Sequence, residues 1–283
     1  MVHDEKHTTA QRVGAIVLGL LIMAAAVCGY LWTEAQRSGA TTTLNEILSA
    51  YEDKSRESPS QDHPFAYVHG RAESEEDLVD QLFDIKVRGV FFERTVKRLT
   101  KQVTKPGVEG GRTIVTYDWV KGGEPPFTYL RIYPDSLRVA GSTVSSQLLD
   151  WRLEGEAIPC DDTRIKAVPA YRTQPLLCLS NGEFSNRAEE EAPEEGDIRI
   201  TFSYLPLGEI SILGKLSDGI LYPIEDANET YLYLIEAGKR SPEELVRTAQ
   251  SRIVTQQNTG RWICLGIFLL GLFFFTSPFR KAR

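Results

Sequence analysis

Four histidines are the residues on which a metal centre or a general base would have to be built: His3 and His7 near the N-terminus, His63 and His69 further on. A zinc site takes three or four convergent ligands, and the sequence contains no HExxH or CxxC cluster to supply them. It also lacks a GxSxG elbow, a Gly-rich phosphate loop and a cysteine paired in sequence with a histidine. His63 and His69 read as ordinary strand or surface histidines. No catalytic, cofactor-binding or metal-ligating residue is assigned, and the expectation is a protein that is not an enzyme and carries no cofactor.

Charge is the stronger signal. Glu73, Glu75, Glu76, Asp77, Asp80 and Asp84 form an acidic run, followed at once by Arg88, Arg94, Lys97, Arg98, Lys101 and Lys105, opposed only by Glu93. The acidic run lacks the alternating oxygens around a glycine turn that calcium requires. One reading is two solvated faces that partly neutralise each other; the other makes Arg94, Lys97, Arg98 and Lys101 an interaction surface for anionic lipid or an acidic partner. Cys160 and Cys178 either bridge in an oxidising compartment or stand as two buried thiols. Asn228-Glu229-Thr230 is a glycosylation sequon, meaningful if the loop is lumenal in a eukaryote.

Two apolar runs must position all of this. Trp262 to Phe279 holds 18 residues without a charge, about 27 Å as a helix, close to the roughly 30 Å of bilayer hydrocarbon. Trp262 stands where an interfacial aromatic would, and Arg280, Lys281 and Arg283 follow as a basic stop. Val13 to Trp32 is a second uncharged run of 20 residues. Its alternative is a signal peptide cleaved near Ala24–Ala26, but the run continues past the alanines to Tyr30 and Trp32, as an anchor does. With two spans the termini share one side, and the basic tail assigns that side to the cytosol.

The net charge of −7 conceals an asymmetry. Charges cancel over the first twelve residues, the tail after Phe279 carries +3, and the rest carries −10. An acidic domain lacks the basic footprint that nucleic acid demands, so that class of partner is excluded.

From Phe65 the chain reads as short β-branched and aromatic strands separated by Gly, Pro, Asp and Asn clusters, among them IKAVPAY from Ile165 and DIRITFSYL from Asp197. Ala66–Arg71 and Ile210–Lys215 share strand, glycine and base in the same order. The loop Ser180–Gly196 reads as an internal boundary or a mobile acidic loop. Leu44, Ile47, Leu48 and Tyr51 predict a helix over Thr43–Ser55. Ser241, Pro242 and Glu244 predict a capped helix running toward Asn258 and Gly260, which tethers the domain so closely that it lies flat on the bilayer. The fold class is α+β: a mainly β extramembrane domain flanked by an N-terminal and a C-terminal transmembrane helix. The segments are a cytosolic tail over 1–12, a span over 13–32, the non-cytosolic domain over 33–261, a span over 262–279 and a basic cytosolic tail over 280–283.

Several stretches together resemble the transmembrane protein 43 (LUMA) family. Gly196–Tyr204, GDIRITFSY, is similar to the family's "GDxRVSFSY" strand. It is followed in family order by Ile210–Lys215, Asp218-Gly219 with Pro223, Leu232–Gly238, and Ser241–Leu245 at the "SAEE" helix start. Asn258 and Trp262 match the asparagine and tryptophan before the family's membrane helices. Upstream, Tyr67–Gly70, Phe92–Val96 and Tyr117–Trp119 resemble "LVHxSG", "LRRxVE" and "TEW". The family's "MYQW" is replaced by Arg98–Val103, and of its several C-terminal membrane helices one is present. The resemblance implies a membrane-anchored, non-enzymatic scaffold or organiser of membrane protein complexes, acting through homo-oligomers, the lipid bilayer and other membrane proteins. It implies a domain in the lumen of the endoplasmic reticulum or nuclear envelope, or in the periplasm of a bacterium. Rival expectations are a subunit of a two-span channel and an unrecognised membrane-bound hydrolase.

Overall fold

The first apolar run does not stop being helical where its apolar residues end. In the computed structural model, which describes residues 2–55, 62–104, 114–149 and 153–280, helix α1 extends from Val2 to Ala50 without interruption. The expected helix at Thr43 is its last part, because residues 33–42 contain no proline to break it. It closes five residues early, where the Tyr51 amide donates to the Ile47 carbonyl and the chain turns extended. Residues 105–112, including Lys105, and the tail residues Lys281 and Arg283 lie outside the described residues.

Short strands follow in order: β1 (Glu52–Asp53), β2 (His63–Glu73), β3 (Leu78–Asp80), β4 (Ile85–Val87), β5 (Gly89–Thr104), β6 (Ile114–Lys121), β7 (Leu130–Ile132), β8 (Leu137–Val139), β9 (Ser142–Val144), β10 (Glu156–Ile158), β11 (Leu177–Cys178), β12 (Phe184–Ser185), β13 (Ile198–Pro206), β14 (Glu209–Ser217), β15 (Ile220–Tyr222), β16 (Ile224–Glu225), β17 (Tyr231–Leu232) and β18 (Leu234–Ala237). Helix α2 then runs from Pro242 to Arg280. Two long apolar helices thus flank a mostly β domain, each long and apolar enough to cross a membrane.

The chain divides into two units. One contains the helices and the β16–β17 hairpin. Its helices are antiparallel: Tyr51 donates to Glu243, Arg261 donates to Glu34, and Gly19 meets Gly271. Helix α2 passes without a break from Pro242 through Trp262, as expected of a helix that delivers the chain straight to the span, and α1 likewise continues past its apolar run. At the N-terminus of α2 the capping box forms as expected, with the Glu244 amide donating to Ser241 Oγ (3.3 Å) and the Ser241 amide to Glu244 Oε2 (3.0 Å).

The other unit holds two β structures. In the first, β2, β8, β9, β15 and β14 pair in sequence and β14 returns to β2, so the ring closes. Its alternate residues Val68, Ala72, Val139, Ile210, Ile212 and Leu221 fill a common core. The two stretches with similar patterns, Ala66–Arg71 and Ile210–Lys215, are neighbours in this ring, with Gly70 opposite Ile210 and Ala66 opposite Gly214. They look alike because they line the same interior. Asp218 and Gly219, both at positive φ, make the two-residue turn from β14 to β15. The segment entering α2 is held by Tyr67, whose hydroxyl donates to the Arg240 carbonyl (2.7 Å), and by Ser211 Oγ, which donates to Gly238 O (3.0 Å) and accepts from the Arg240 amide (2.9 Å).

In the second structure β13 and β5 are central, with β12 and β11 beyond β13 and β6 beyond β5. It packs around an aromatic cluster in which the Phe83 ring lies 4.8 Å from Phe202 and 5.6 Å from Phe184. IKAVPAY, expected as a strand, is not one. The amides of Lys166 and Ala167 both donate to the Phe83 carbonyl, and Tyr171 enters the cluster against Phe127 at 5.4 Å.

The helix pair depends on two missing side chains. A Cβ at Gly19 would stand 2.6 Å from the Phe275 nitrogen and 2.7 Å from the Gly271 carbonyl oxygen, and one at Gly271 would meet the Gly19 carbonyl at 2.9 Å. Gly271→Val is expected to separate the helices and lower the unfolding temperature of the chain in detergent. Gly266→Val, where nothing lies within 4 Å, is expected to leave it unchanged.

Candidate functional site

Strand β5 carries the basic run, and its two-residue period sends consecutive cations to opposite faces. Arg94 faces the aromatic core, its side chain 6 % exposed beside an Asp80 side chain that is 1 % exposed. Its Nη1 donates to both carboxylate oxygens of Asp80 (2.8 and 2.7 Å), its Nε donates to the Thr128 carbonyl (3.1 Å), and the Leu82 amide also donates to Asp80 Oδ1 (2.9 Å). Arg94 therefore leaves the expected interaction surface. A member of the acidic run and a member of the basic run meet inside the fold rather than on two solvated faces.

Arg98 is half-buried and pairs with Glu124, which Arg172 also contacts at 3.3 Å. The hydrogen bond from Arg172, then the charge of Arg98, hold the Glu124 carboxyl below its ordinary range. Lys97 and Lys101 alone of the four remain exposed. They share a face with residues sequence reasoning had not grouped with them.

Register places Lys97 opposite Lys121, Leu99 opposite Trp119, Lys101 opposite Tyr117 and Val103 opposite Val115. Directly opposed residues share a face, so one side of this β5–β6 arm reads lysine, aromatic and valine. The other side reads Arg98, Thr100, Gln102, Thr116, Asp118 and Val120. Tyr117 is 52 % exposed and Val103 50 %. Strand β6 ends its sheet, so its outer backbone groups pair with no described strand. Alternation of Val115, Tyr117 and Trp119 in the sequence was the available signal. That the strand stands at an edge had none. At the base of the arm the Arg199 guanidinium lies over Trp119 at 4.5 Å, beside a polar recess of about 240 Å³ rimmed by Arg187, Glu189 and Asp197.

Compared with known families, the chain matches the family model described as Transmembrane protein 43 over residues 135–282. The chain belongs to the transmembrane protein 43 family. No curated protein and no solved structure matches it. With two spanning-length helices and this membership it is an integral membrane protein. The arm and the Asp80–Arg94 pair precede the stretch that defines the transmembrane protein 43 match. The disulfide, strands β13 and β14 and helix α2 fall inside it.

Cys160 and Cys178 are joined by a disulfide, with Cα atoms 5.5 Å apart. The loop Ser180–Gly196, expected as an internal boundary or a mobile acidic loop, lies wholly within one unit and is no boundary. Arg187 pairs with Glu194 and with the buried Asp197, both at 2.7 Å, and Asn186 donates to Asp197 Oδ1 (3.0 Å). Asn228 sits in the β16–β17 turn with its Nδ2 against Gly39 of α1, where a Cβ would collide with it. A glycan on that nitrogen would have to displace the helix. His63 Nδ1 lies 2.8 Å from the Phe65 carbonyl oxygen and His69 is half-buried on β2. Among the described residues no three His, Cys, Asp or Glu side chains converge as metal ligands.

Two outcomes follow from these ion pairs. Arg94→Met strands the Asp80 carboxylate in an apolar interior and is expected to cost about 3–5 kcal/mol. Asp80→Leu together with Arg94→Met is expected to cost less than the single change, read by chemical denaturation. Next to the disulfide, hydrogen bonds from the Arg164 side chain and then its backbone amide hold the Asp162 carboxyl down to about 2. A depressed carboxyl stabilises the fold above its unfolded value, about 4, and loses that contribution as pH falls toward about 2. The stability gap between the wild-type chain and Asp162→Asn should be constant above about pH 5 and shrink between about pH 4 and 2.

Proposed function

We propose that this transmembrane protein 43 family member is a non-enzymatic scaffold that organises other membrane proteins, with its β domain on the non-cytosolic side and the β5–β6 arm as its contact surface. The observation that carries this reading is the edge of β6, where Val115 and Tyr117 stand exposed on one face beside backbone that pairs with no described strand. An exposed apolar edge is either covered by a partner or a hazard. The arm offers both backbone pairing and an aromatic anchor, the two elements of recognition by strand addition. Partners of this kind are other membrane proteins or a second copy of the chain.

The Cys160–Cys178 disulfide favours the non-cytosolic assignment, because bridges persist in oxidising compartments. That compartment is the lumen of the endoplasmic reticulum or nuclear envelope in a eukaryote and the periplasm in a bacterium. The antiparallel helix pair supports placing both termini on one side, and the basic residues after Phe279 favour the cytosol as that side.

A photo-crosslinker at position 117 in native membranes tests the reading. Reproducible adducts with one membrane protein, or with the chain itself, are expected, and they should be lost on Val115→Asp. Adducts no more abundant than those from position 138 in the ring would defeat the arm as the contact surface. Protease added to the cytosolic face of sealed vesicles should leave the domain intact, and its digestion there would reverse the sidedness.

A further inference from the structure

Along the helix pair, at the end of the apolar runs nearest the β16–β17 hairpin, lies a groove of about 470 Å³. Its deeper walls are Ala26 and Val27 of α1 and Leu265 and Phe268 of α2, all apolar. Its outer end is polar. Tyr30 and Trp262 flank it there, and Asn258 and Arg261 close it. Tyr and Trp are the side chains that settle at the boundary between hydrocarbon and head groups, so the polar end stands at head-group depth and the apolar walls at acyl-chain depth.

Arg261 does not stand alone. Its Nε and Nη2 both donate to Glu34 Oε1, the first at 2.8 Å. Its Nη1 donates to no described residue, and Glu34 Oε2 accepts from none. A guanidinium with free N–H groups and a carboxylate with a free oxygen are thus held side by side at the mouth of an apolar slot. A head group that carries a phosphate and an ammonium a few bonds apart complements that order of charge.

We propose that this groove is a binding site for one zwitterionic phospholipid. One acyl chain lies along Ala26, Val27, Leu265 and Phe268, the phosphate accepts from Arg261 Nη1 and the Asn258 amide, and the ammonium donates to Glu34. Arginine is the preferred partner of phosphate in such a place because its N–H groups are fixed and its charge is permanent. A neighbouring protein helix fits poorly. A cylinder about 10 Å across rising about 1.5 Å per residue fills the same volume with about four residues, whereas a flexible chain follows the slot. An anionic lipid would set its extra charge against Glu34. No bond is made or broken in this binding.

The test uses the full chain purified in non-ionic detergent and incubated with an equimolar mixture of phosphatidylethanolamine and phosphatidylglycerol of matched acyl chains. Native mass spectrometry should show one retained phospholipid per chain, with phosphatidylethanolamine favoured by about threefold to tenfold, as one added hydrogen bond of ordinary strength predicts. Val27→Trp and Leu265→Trp, two wall positions away from the Gly19–Gly271 crossing, should each cut occupancy about fivefold or more by filling the slot. Glu34→Gln should keep a lipid bound but abolish the preference. Absence of a retained lipid, occupancy unchanged in both tryptophan variants, or preference for phosphatidylglycerol would each overturn the proposal. So would displacement of the lipid by inorganic phosphate alone, or recovery of a second protein's helix in stoichiometric place of the lipid.

Discussion

Side chains on a strand alternate between its two faces, and β5 is long enough for that alternation to be used three times over. At its start Phe91 belongs to the core of the closed ring and Phe92, its immediate neighbour, to the aromatic cluster of the other sheet. In its middle Arg94 turns inward to Asp80 while Lys97 turns out. Beyond Arg98, β13 no longer accompanies it and β6 alone does, so the strand leaves the sheet as an arm. A shift of one residue would exchange every one of these positions at once, burying Lys97 and exposing Phe92. The Asp80–Arg94 pair is made in the observed register, where Arg94 faces inward. A bidentate buried ion pair gains little stability over a well-packed apolar alternative, but it tolerates a single geometry.

The helix pair is under a different constraint. Inside a bilayer there is no hydrophobic gain from bringing two apolar helices together, so their association rests on close backbone approach and on the few polar contacts available. Gly19 and Gly271 supply the first at one depth, and Glu34 with Arg261 the second at another. Between these two points the helices stay close, a Cβ at Gly29 standing 3.3 Å from Cys264 Sγ, and the groove lined by Val27 and Phe268 runs along the outside of the pair.

Much of this organisation was legible in the residues and some was not. Hydropathy marks both spans because length and absence of charge are local properties, and Ser241 with Glu244 marks a helix start for the same reason. Residues 33–42 escaped notice because a stretch that is polar all round has no periodic stripe to read; it is helical because its partner α2 is beside it. Arg94 looked like one more surface cation. Its partner lies fourteen residues away on another strand, and only pairing of the strands brings the two together. The similarity of Ala66–Arg71 to Ile210–Lys215 was visible, but not that it reflects adjacency. The family-like stretches from Gly196 onward fall within the match over residues 135–282, while the arm rests on β6 standing at an edge, a property of topology alone.

The bonds that hold Gly238 and Arg240 to Ser211 and Tyr67 bear on how the protein carries mechanical load. The chain passes directly from Arg240 into the capped start of α2, so tension along that membrane helix arrives first at two hydroxyl groups, one on each of two neighbouring strands of the ring. Those strands share the strain with each other through their own ladder, and the remaining circuit of the ring has no seam at which to peel. A pull along that helix is therefore taken up by a closed ring and not by a free sheet edge.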